Sequence, residues 1–270
     1  MALSFLRHPL TRDLDLNDPR STVFRKHIIR EKRFLRRVYQ EWYQWIAGEL
    51  TGAGGPVLEI GSGGGFLKEY VPGLITSEVF HISGVDIVLD GCVLPFERAS
   101  LGAIVMVDVF HHLPDVRAFL GEAQRCLKPG GKVTMVEPWI TPWSRVIYRH
   151  VHHEPLDQHA VQWAFLRTGP LSGANIALPW IVFHRDRQKF ERLFAGLAIE
   201  KIVVEMPFRY LLSGGVSLRS LMPGILYGFW ACLEQWLSPL NRAIGMFSRI
   251  VVRSVPAAAH LDAADKGHSG

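Results

Sequence analysis

Apolar residues in the middle of the chain form short continuous runs separated by stretches with a helical repeat. The runs are VLEI, GLITSE, VDIVLD, AIVMVDVF and KVTMVEP, and helices are predicted at 63–70 and near 115–127. Continuous apolar strands that alternate with helices are typical of a parallel sheet covered on both faces, so an α/β fold is predicted. Only about six residues separate GLITSE from VDIVLD, which predicts a shortened or missing helix there.

Further helical repeats flank this core. From Thr22 to about Leu50, apolar residues recur three, four or seven apart, which predicts one amphipathic helix with an arginine-rich outer face. Near the other end, DRQKFERLF predicts a helix, AIEKIVVEMPF predicts a strand, and residues 218–253 predict two apolar helices. We expect one domain over 22–255, between a flexible tail at 1–21 and a disordered tail at 256–270. Within it we expect a cofactor-binding core at 55–138 and an acceptor-side insertion at 139–185.

A glycine-rich turn follows the first predicted strand in the stretch VLEIGSGGGF, residues 57–66. Such a turn at the carboxyl end of a parallel strand forms a ligand site. The dinucleotide fingerprint G-x-G-x-x-G is met at Gly61 and Gly63, but Phe66 stands where the third glycine is needed. Glu59, just inside the strand, would also repel a pyrophosphate. The turn therefore favours a phosphate-free ligand that carries positive charge or hydroxyl groups.

The same stretch resembles motif I of the class I S-adenosylmethionine-dependent methyltransferases, of the methyltransferase type 11-like kind. The resemblance continues through DGCVLPFERASLGAIVMVDVFHHLPD and AQRCLKPGGKVTMVEP, and it covers about half the chain, residues 55–138. It implies a Rossmann-like fold whose seven-stranded sheet is mostly parallel, with helices on both faces and the last strand antiparallel. It also implies S-adenosyl-L-methionine as cofactor and methyl transfer to a small or partly hydrophobic acceptor, which the sequence does not identify.

The resemblance further implies a set of cofactor-binding residues. They are Glu59, Gly61, Ser62, Gly63, Gly65, Glu78, Asp90, Gly91 and Asp108. Glu78, at the end of the second strand, is expected to accept both ribose hydroxyls, because one carboxylate offers two oxygens to two donors. Asp86 competes for this role. Glu78 is preferred because Asp90 then falls where the family's third strand places its adenine-contacting acid.

Two adjacent histidines follow the fourth strand. In relatives with a similar HHLPD segment a histidine lies near the methyl acceptor, so the resemblance implies His112, ahead of His111, as a base for an acceptor that must lose a proton. In the alternative, His112 caps the turn into a helix that starts at Pro114. The segment HVHHEPLDQH, residues 150–159, matches no zinc signature, so no metal site is expected. It is expected to line the acceptor pocket.

The distribution of charged and apolar residues along the chain limits the kinds of partner that the protein is expected to bind. Residues 1–45 hold ten Lys and Arg against five Asp and Glu, which accounts for the whole formal charge of +5. No nucleic-acid motif accompanies them. Together with the apolar C-terminal helices they could favour peripheral contact with an anionic membrane and a lipid-like acceptor, although solvated surface and core or dimer packing are the simpler alternatives. The widely spaced cysteines and the lack of a signal peptide or long apolar window predict a soluble, cytoplasmic protein.

Two other functions remain open from the sequence. A non-catalytic protein that binds S-adenosylmethionine for regulation would carry the same motifs, because the acceptor-side chemistry is unassigned. A nicotinamide-dependent oxidoreductase is disfavoured by Phe66 and Glu59.

Overall fold

The computed structural model describes residues 8–10, 18–152, 154–166, 169 and 173–256. Seven strands of this part form one sheet in the order β3-β2-β1-β4-β5-β7-β6. They are β1 (Val57–Glu59), β2 (Ile75–Glu78), β3 (Ile87–Val88), β4 (Leu101–Val107), β5 (Leu127–Pro138), β6 (Leu197–Glu205) and β7 (Phe247–Ser254). Neighbouring strands are parallel except where β7 runs antiparallel to β5 and β6. The predicted fold class is therefore confirmed.

The helices of the described residues pack around this sheet. They are α1 (Pro19–Glu31), α2 (Arg33–Glu49), α3 (Val116–Cys126), α4 (Pro142–His150), α5 (Leu178–Trp180), α6 (Arg187–Leu193), α7 (Arg209–Ser213), α8 (Tyr227–Trp236) and α9 (Asn241–Ile244). A π-helical turn, Ile181–Arg185, continues α5. Among these described helices, none has the length and apolar character needed to span a bilayer.

The predicted N-terminal helix is divided into two. Lys32 leaves helical geometry, with φ −75° and ψ 92°, and separates α1 from α2. Its Nζ donates to the carbonyl oxygens of Gly215 at 2.5 Å and Leu218 at 2.8 Å, which ties the break to the segment between α7 and α8. α1 begins at Pro19, earlier than expected, because the side chain of Asp18 accepts a hydrogen bond from the first turn.

Two predicted elements are wrong. The helix expected at 63–70 is only a 3₁₀ turn, Leu67–Glu69, since the preceding glycines take left-handed or crowded positions that a helix cannot use. The second apolar helix expected within 218–253 shrinks to α9, and the β-branched run that follows it forms β7 between β5 and β6.

Other expectations concern connections and termini. The short link between β2 and β3, residues 79–86, contains no helix, as its length predicted. The tails expected at 1–21 and 256–270 fall mostly outside the described residues, and the boundaries of the core and of the insertion remain predictions.

Candidate functional site

A cavity of about 630 Å³ lies at the carboxyl ends of β1, β2 and β4. It is lined by the whole predicted cofactor set, Glu59, Gly61, Ser62, Gly63, Gly65, Glu78, Asp90, Gly91 and Asp108. His112 lines the same cavity, and His111 is fully buried beside it. The fold therefore brings the predicted site residues to one place.

The glycine turn forms a tight wall beneath α1. Gly63 has φ +31°, and a Cβ added to it would lie 2.9 Å from Glu78 Oε1. A Cβ on Gly64 would lie 2.9 Å from the backbone nitrogen of Lys26, so α1 rests directly on the turn. Through this contact α1 brings Ser21, Thr22, Arg25 and Ile29 to the cavity wall.

The two candidates for the ribose-binding acid lie in different surroundings. Glu78 is buried at the cavity wall, where Oε2 accepts a hydrogen bond from the backbone nitrogen of Val79 at 3.2 Å. Asp86 points away to the surface, where its carboxylate accepts from Lys68 Nζ at 2.7 Å and from Thr76 N at 2.9 Å. These hydrogen bonds lower the pKa of Asp86 to about 2. Asp86 therefore fastens β2 to its neighbours, and Glu78 alone of the two reaches the cavity.

Two neighbouring acids at the cavity wall are harder to ionise than usual. Burial raises the pKa of the Glu59 carboxyl to about 7, and the charge of Glu78 adds to this against an opposing hydrogen bond from Ser62. Burial also raises the pKa of Glu78, although backbone donors at Val79 and Gly63 oppose the shift. Both carboxylates would gain from a cation or a hydroxyl donor nearby.

The remaining predicted cofactor residues shape the same wall. Ser62 joins the turn to β2, since its nitrogen donates to Ser77 O at 2.9 Å and its Oγ accepts from Ser77 N at 3.0 Å. Asp90 Oδ1 accepts from Cys92 N at 2.9 Å. A Cβ on Gly91 would lie 2.9 Å from Leu113 Cδ2, so a side chain there would have to displace the end of Leu113.

Asp108 leaves β4 with a left-handed backbone, φ +61°, and its nitrogen donates to Val136 O at 2.9 Å. Burial raises the pKa of its carboxyl to about 6 against the opposing influence of His111. Burial and the charge of Asp108 together raise the pKa of Tyr39, Tyr148 and Tyr210, which line the cavity.

Sequence reasoning missed these cavity tyrosines. They are Tyr39 and Tyr43 from α2, Tyr148 from α4 and Tyr210 from α7. The one usable signal was the spacing of Tyr39 and Tyr43, which places both on the same face of α2.

The histidine pair is embedded among acids. His111 Nδ1 lies 2.7 Å from Glu137 Oε2, and its Nε2 lies 3.3 Å from Glu154 Oε2. Burial by itself would lower the pKa of His111, but Glu137 and Glu154 hold it well above its ordinary value. His112 Nε2 lies 3.4 Å from Glu154 Oε1, and its Nδ1 lies 3.1 Å from Gly173 O.

The alternative that His112 caps a helix is wrong. α3 begins at Val116, and Asp115 caps it by accepting from Ala118 N.

The insertion contributes unequally to the cavity. His152 and Glu154 line it, whereas His150 and His159 are exposed, and His153 lies outside the described residues. Residues of the predicted insertion therefore line the cavity, while its role toward an acceptor stays a prediction; sequence reasoning missed that Glu154 joins the histidine pair.

The sequence was compared with known families. The profile of the family described as "Methyltransferase domain" matches residues 30–170, more than half of the 270-residue chain. The chain belongs to the methyltransferase domain family. The predicted membership is thereby confirmed, and the protein is an S-adenosylmethionine-dependent methyltransferase. No match was found among curated protein sequences.

Solved structures similar to this methyltransferase include geranyl diphosphate C-methyltransferase from Streptomyces coelicolor A3(2), at 17% identity, with 93% of this chain and 92% of that chain covered and a TM-score of 0.48. A geranyl diphosphate methyltransferase in complex with SAM is 16% identical over 91% and 94%, with a TM-score of 0.49. The cyclase SpnF is 13% identical over 80% of each chain, with a TM-score of 0.46. At these levels the likenesses do not identify the acceptor.

Proposed function

We propose that the protein methylates a small, partly hydrophobic and lipid-like acceptor in the cavity at the carboxyl ends of β1, β2 and β4. The observation that carries this proposal is the continuity of the cavity. The glycine turn lines it with Glu59, Glu78 and Tyr43, and Tyr148 and Tyr210 line the same cavity with His112 and Glu154. A methyl donor bound beside the glycine turn and an acceptor bound beside His112 would therefore meet inside one cavity.

The residues at the glycine-turn end fit the cofactor. S-adenosylmethionine supplies an electrophilic methyl group on a positively charged sulfur. Glu78 is proposed to accept the ribose hydroxyls, since its buried carboxylate faces the cavity with oxygens that suit two donors. Glu59 is proposed to favour the positive charge of the ligand. Gly61, Gly63 and Gly65 let the backbone approach it, while Ser62, Asp90, Gly91 and Asp108 complete the binding wall.

The opposite end suits an acceptor with both apolar and polar parts. Ile147, Val151, Leu211, Met246 and Phe247 supply apolar surface among the tyrosines. His112 is proposed as the acceptor-side catalytic residue, because its ring lines the cavity and reaches Glu154. His111 is proposed to act through this pair as a positioning residue, since it is fully buried.

We also propose peripheral contact with an anionic membrane surface near the acceptor end. Ile225, Phe229, Trp236 and Leu240 are at least half exposed and follow one face of α8 and its flanking turns. Beside them lie exposed arginines of α2, since Arg33 abuts Gly224 and Arg37 lies over the Tyr227 ring. An apolar helix face bordered by basic residues is typical of helices that lie in a lipid interface.

The position of this face supports a lipid-like acceptor. The segment between α7 and α8, from Gly214 to Leu218, lines the cavity and leads to the exposed face. An acceptor partly embedded in a membrane could therefore reach the cavity without crossing open water. The cytoplasmic location is a prediction from the sequence alone.

Calorimetric titration with S-adenosylmethionine tests the cofactor part. We expect Glu78→Ala to weaken binding about tenfold or more, because a buried carboxylate loses charge-assisted hydrogen bonds to the ligand. Asp86→Ala should retain wild-type affinity and lower only thermal stability. An equal loss of affinity in both variants, or a larger loss in Asp86→Ala, would refute the proposed role of Glu78.

The acceptor part is tested by incubating the protein with methyl-labelled S-adenosylmethionine and separate lipid and water-soluble cell extracts. Label is expected in the lipid fraction, and its mass-spectrometric identification would name the acceptor. Label found only in water-soluble products would overturn the lipid-like acceptor while leaving methyl transfer intact.

A further inference from the structure

His111, His112 and Glu154 form a compact group at the acceptor end of the cavity, called here the His–His–Glu cluster. Their ligand-type atoms all lie within 4.8 Å of one another. Glu154 presents Oε2 to His111 Nε2 at 3.3 Å and Oε1 to His112 Nε2 at 3.4 Å. Ligands bound tetrahedrally at about 2.0–2.1 Å lie about 3.3–3.4 Å from one another. Both nitrogen–oxygen separations therefore match those of atoms that share one ion.

The other nitrogen of each ring already has an acceptor. Glu137 Oε2 lies 2.7 Å from His111 Nδ1, and the carbonyl oxygen of Gly173 lies 3.1 Å from His112 Nδ1. An acceptor at Nδ1 keeps a proton there, so that a metal ion binding at Nε2 would displace only the proton that faces Glu154. Metal-bound histidines typically have such a partner on the nitrogen that does not bind the metal.

Glu137, the hydrogen-bond partner of His111 Nδ1, is held in place by backbone donors. Glu137 is fully buried, and its Oε1 accepts from the backbone nitrogens of Val109 and Phe110, each at 2.8 Å. The orientation of the His111 ring is thus set by the turn that follows β4, before any ligand binds. Such preorganisation lowers the cost of assembling a site.

One buried atom in the cluster lacks a hydrogen bond. Within the described part of the chain, His111 Nε2 makes none, although the ring is fully buried and Glu154 lies near. Its contact is the 3.3 Å ion pair with Glu154, whereas buried polar atoms in native proteins usually make a well-formed hydrogen bond. This atom faces the other two members of the cluster, and a bound cation would satisfy it.

We propose that the His–His–Glu cluster binds a divalent transition-metal ion, with Zn²⁺ the first candidate, and leaves a coordination position open to the cavity. Two imidazoles and one carboxylate form a donor set of catalytic zinc sites, which keep a further position for water or substrate. His112 and Glu154 line the cavity, so the open position faces the acceptor end. This inference replaces the expectation of no metal and assigns His112 to ligation in place of the predicted base.

The role of the ion toward the acceptor rests on the proposed function. An acceptor hydroxyl bound at the open position would lose its proton to water, because a bound divalent ion lowers the pKa of the hydroxyl. Its oxygen would then attack the methyl carbon as the carbon–sulfur bond breaks and the electron pair of that bond stays on sulfur. Metal binding itself requires no acceptor and can be measured alone.

The test is a titration of the chelator-treated, full-length protein with Co²⁺, followed by displacement with Zn²⁺. We expect one Co²⁺ per chain, with the intense visible absorption of a four- or five-coordinate ion, and loss of this absorption on adding Zn²⁺. His112→Ala and Glu154→Gln should each weaken Co²⁺ binding by at least about tenfold, and Glu137→Gln by about 10–100-fold.

Exposed histidines of the same insertion provide matched controls. His150→Ala and His159→Ala should bind Co²⁺ like the wild type, because both side chains lie outside the cluster. If the wild type binds Co²⁺ no better than the His112→Ala and Glu154→Gln variants, or if the controls lose binding equally, the cluster is only an ion pair and the proposal is overturned.

A parallel titration with S-adenosylmethionine separates this proposal from the proposed function. Wild-type protein that binds S-adenosylmethionine but not Co²⁺ or Zn²⁺ would overturn the metal site alone. Wild-type protein that binds Co²⁺ but not S-adenosylmethionine would support the metal site and overturn the assignment of the cofactor wall. The His112→Ala variant should keep S-adenosylmethionine affinity, because His112 lies at the acceptor end.

Discussion

The carboxylate of Glu78 lies over Gly63, so that a Cβ at position 63 would approach Glu78 Oε1 to 2.9 Å. Gly63→Ala should therefore displace the proposed ribose-binding carboxylate while leaving its charge in place. Because the hydrogen bonds of that carboxylate are strongly directional, we expect S-adenosylmethionine affinity to fall about tenfold or more by calorimetry.

Gly121→Ala is the matched control for Gly63→Ala. Gly121 lies in α3, and a Cβ there meets no atom within 4 Å. Alanine has the higher helix propensity, so this variant should be equally or more stable, by up to about 1 kcal/mol, with unchanged cofactor affinity. If Gly63→Ala binds the cofactor like Gly121→Ala, the contact between the turn and Glu78 has no part in binding.

Glu59→Gln should change stability and cofactor binding in opposite directions. Burial raises the pKa of Glu59 from 4.5 to about 7, with Glu78 adding to the shift. Between these values the folded protein binds more protons at this carboxyl than the unfolded chain does, so the contribution of Glu59 to stability is largest below pH 4.5 and is lost as the pH rises through 7. At pH 8 the glutamine variant without cofactor should be more stable by about 2–4 kcal/mol.

The same substitution should weaken S-adenosylmethionine binding, because a carboxylate that favours the positive ligand is gone. Chemical denaturation between pH 4 and 8, with and without cofactor, measures both effects. The control Glu97→Gln alters an exposed acid and should leave both quantities near wild type. A glutamine variant that is less stable at pH 8 would contradict the assignment of a costly buried charge at Glu59.

The cavity wall proposed to bind the cofactor was predictable from sequence because its acids lie at the ends of neighbouring parallel strands, β2, β1 and β4. Glu59, Glu78 and Asp108 each end or follow a strand, and parallel topology brings such ends to one edge. The short link after β2 also predicted that no helix intervenes. These features depend on local patterns and on one rule of topology.

The acceptor side was not predictable in the same way. Tyr39, Glu154 and Tyr210 come from three distant parts of the chain, and only tertiary packing brings them together. The strand β7 was missed for a different reason. Its short apolar run has no decisive period, and its pairing with β5 and β6 comes from distant sequence.

Arg209→Met should destabilise the protein strongly. Arg209 is buried at the start of α7, where Nε donates to Glu234 Oε2 at 2.5 Å and Nη1 donates to Tyr227 Oη at 2.7 Å. Removing the guanidinium leaves the buried Glu234 without its cation, and breaking one partner of a buried pair costs about 3–5 kcal/mol. Urea denaturation monitored by circular dichroism measures the loss.

Arg187→Met provides the comparison for this prediction. Arg187 forms an exposed pair with Glu191 at 2.9 Å, and such pairs contribute less than about 1 kcal/mol. Since α7 also carries Tyr210 and Leu211 into the cavity, Arg209→Met should weaken acceptor binding in the protein that remains folded. Similar stabilities of the two methionine variants would refute a structural role for the Arg209 network.

Replacing both Phe229 and Trp236 by serine should weaken binding to vesicles that contain phosphatidylserine. Trp236 is 77% exposed and Phe229 is 63% exposed, so neither substitution removes core packing. Burying one such aromatic side chain contributes about 1.5–3 kcal/mol, so the double variant should partition at least about tenfold less in cosedimentation. Arg33→Gln should reduce binding about fivefold, mainly at low salt, because each cation near an anionic surface contributes about 1 kcal/mol.

Leu166→Ser controls for the loss of exposed apolar area elsewhere, since Leu166 is 92% exposed and lies outside the α8 face. It should bind vesicles like the wild type, and neutral phosphatidylcholine vesicles should bind every variant weakly. The simpler alternative, a dimer through α8, makes a different prediction that analytical ultracentrifugation can detect. A wild-type dimer that the double serine variant converts to monomer, with no vesicle binding by either protein, would assign the face to self-association and exclude the membrane contact.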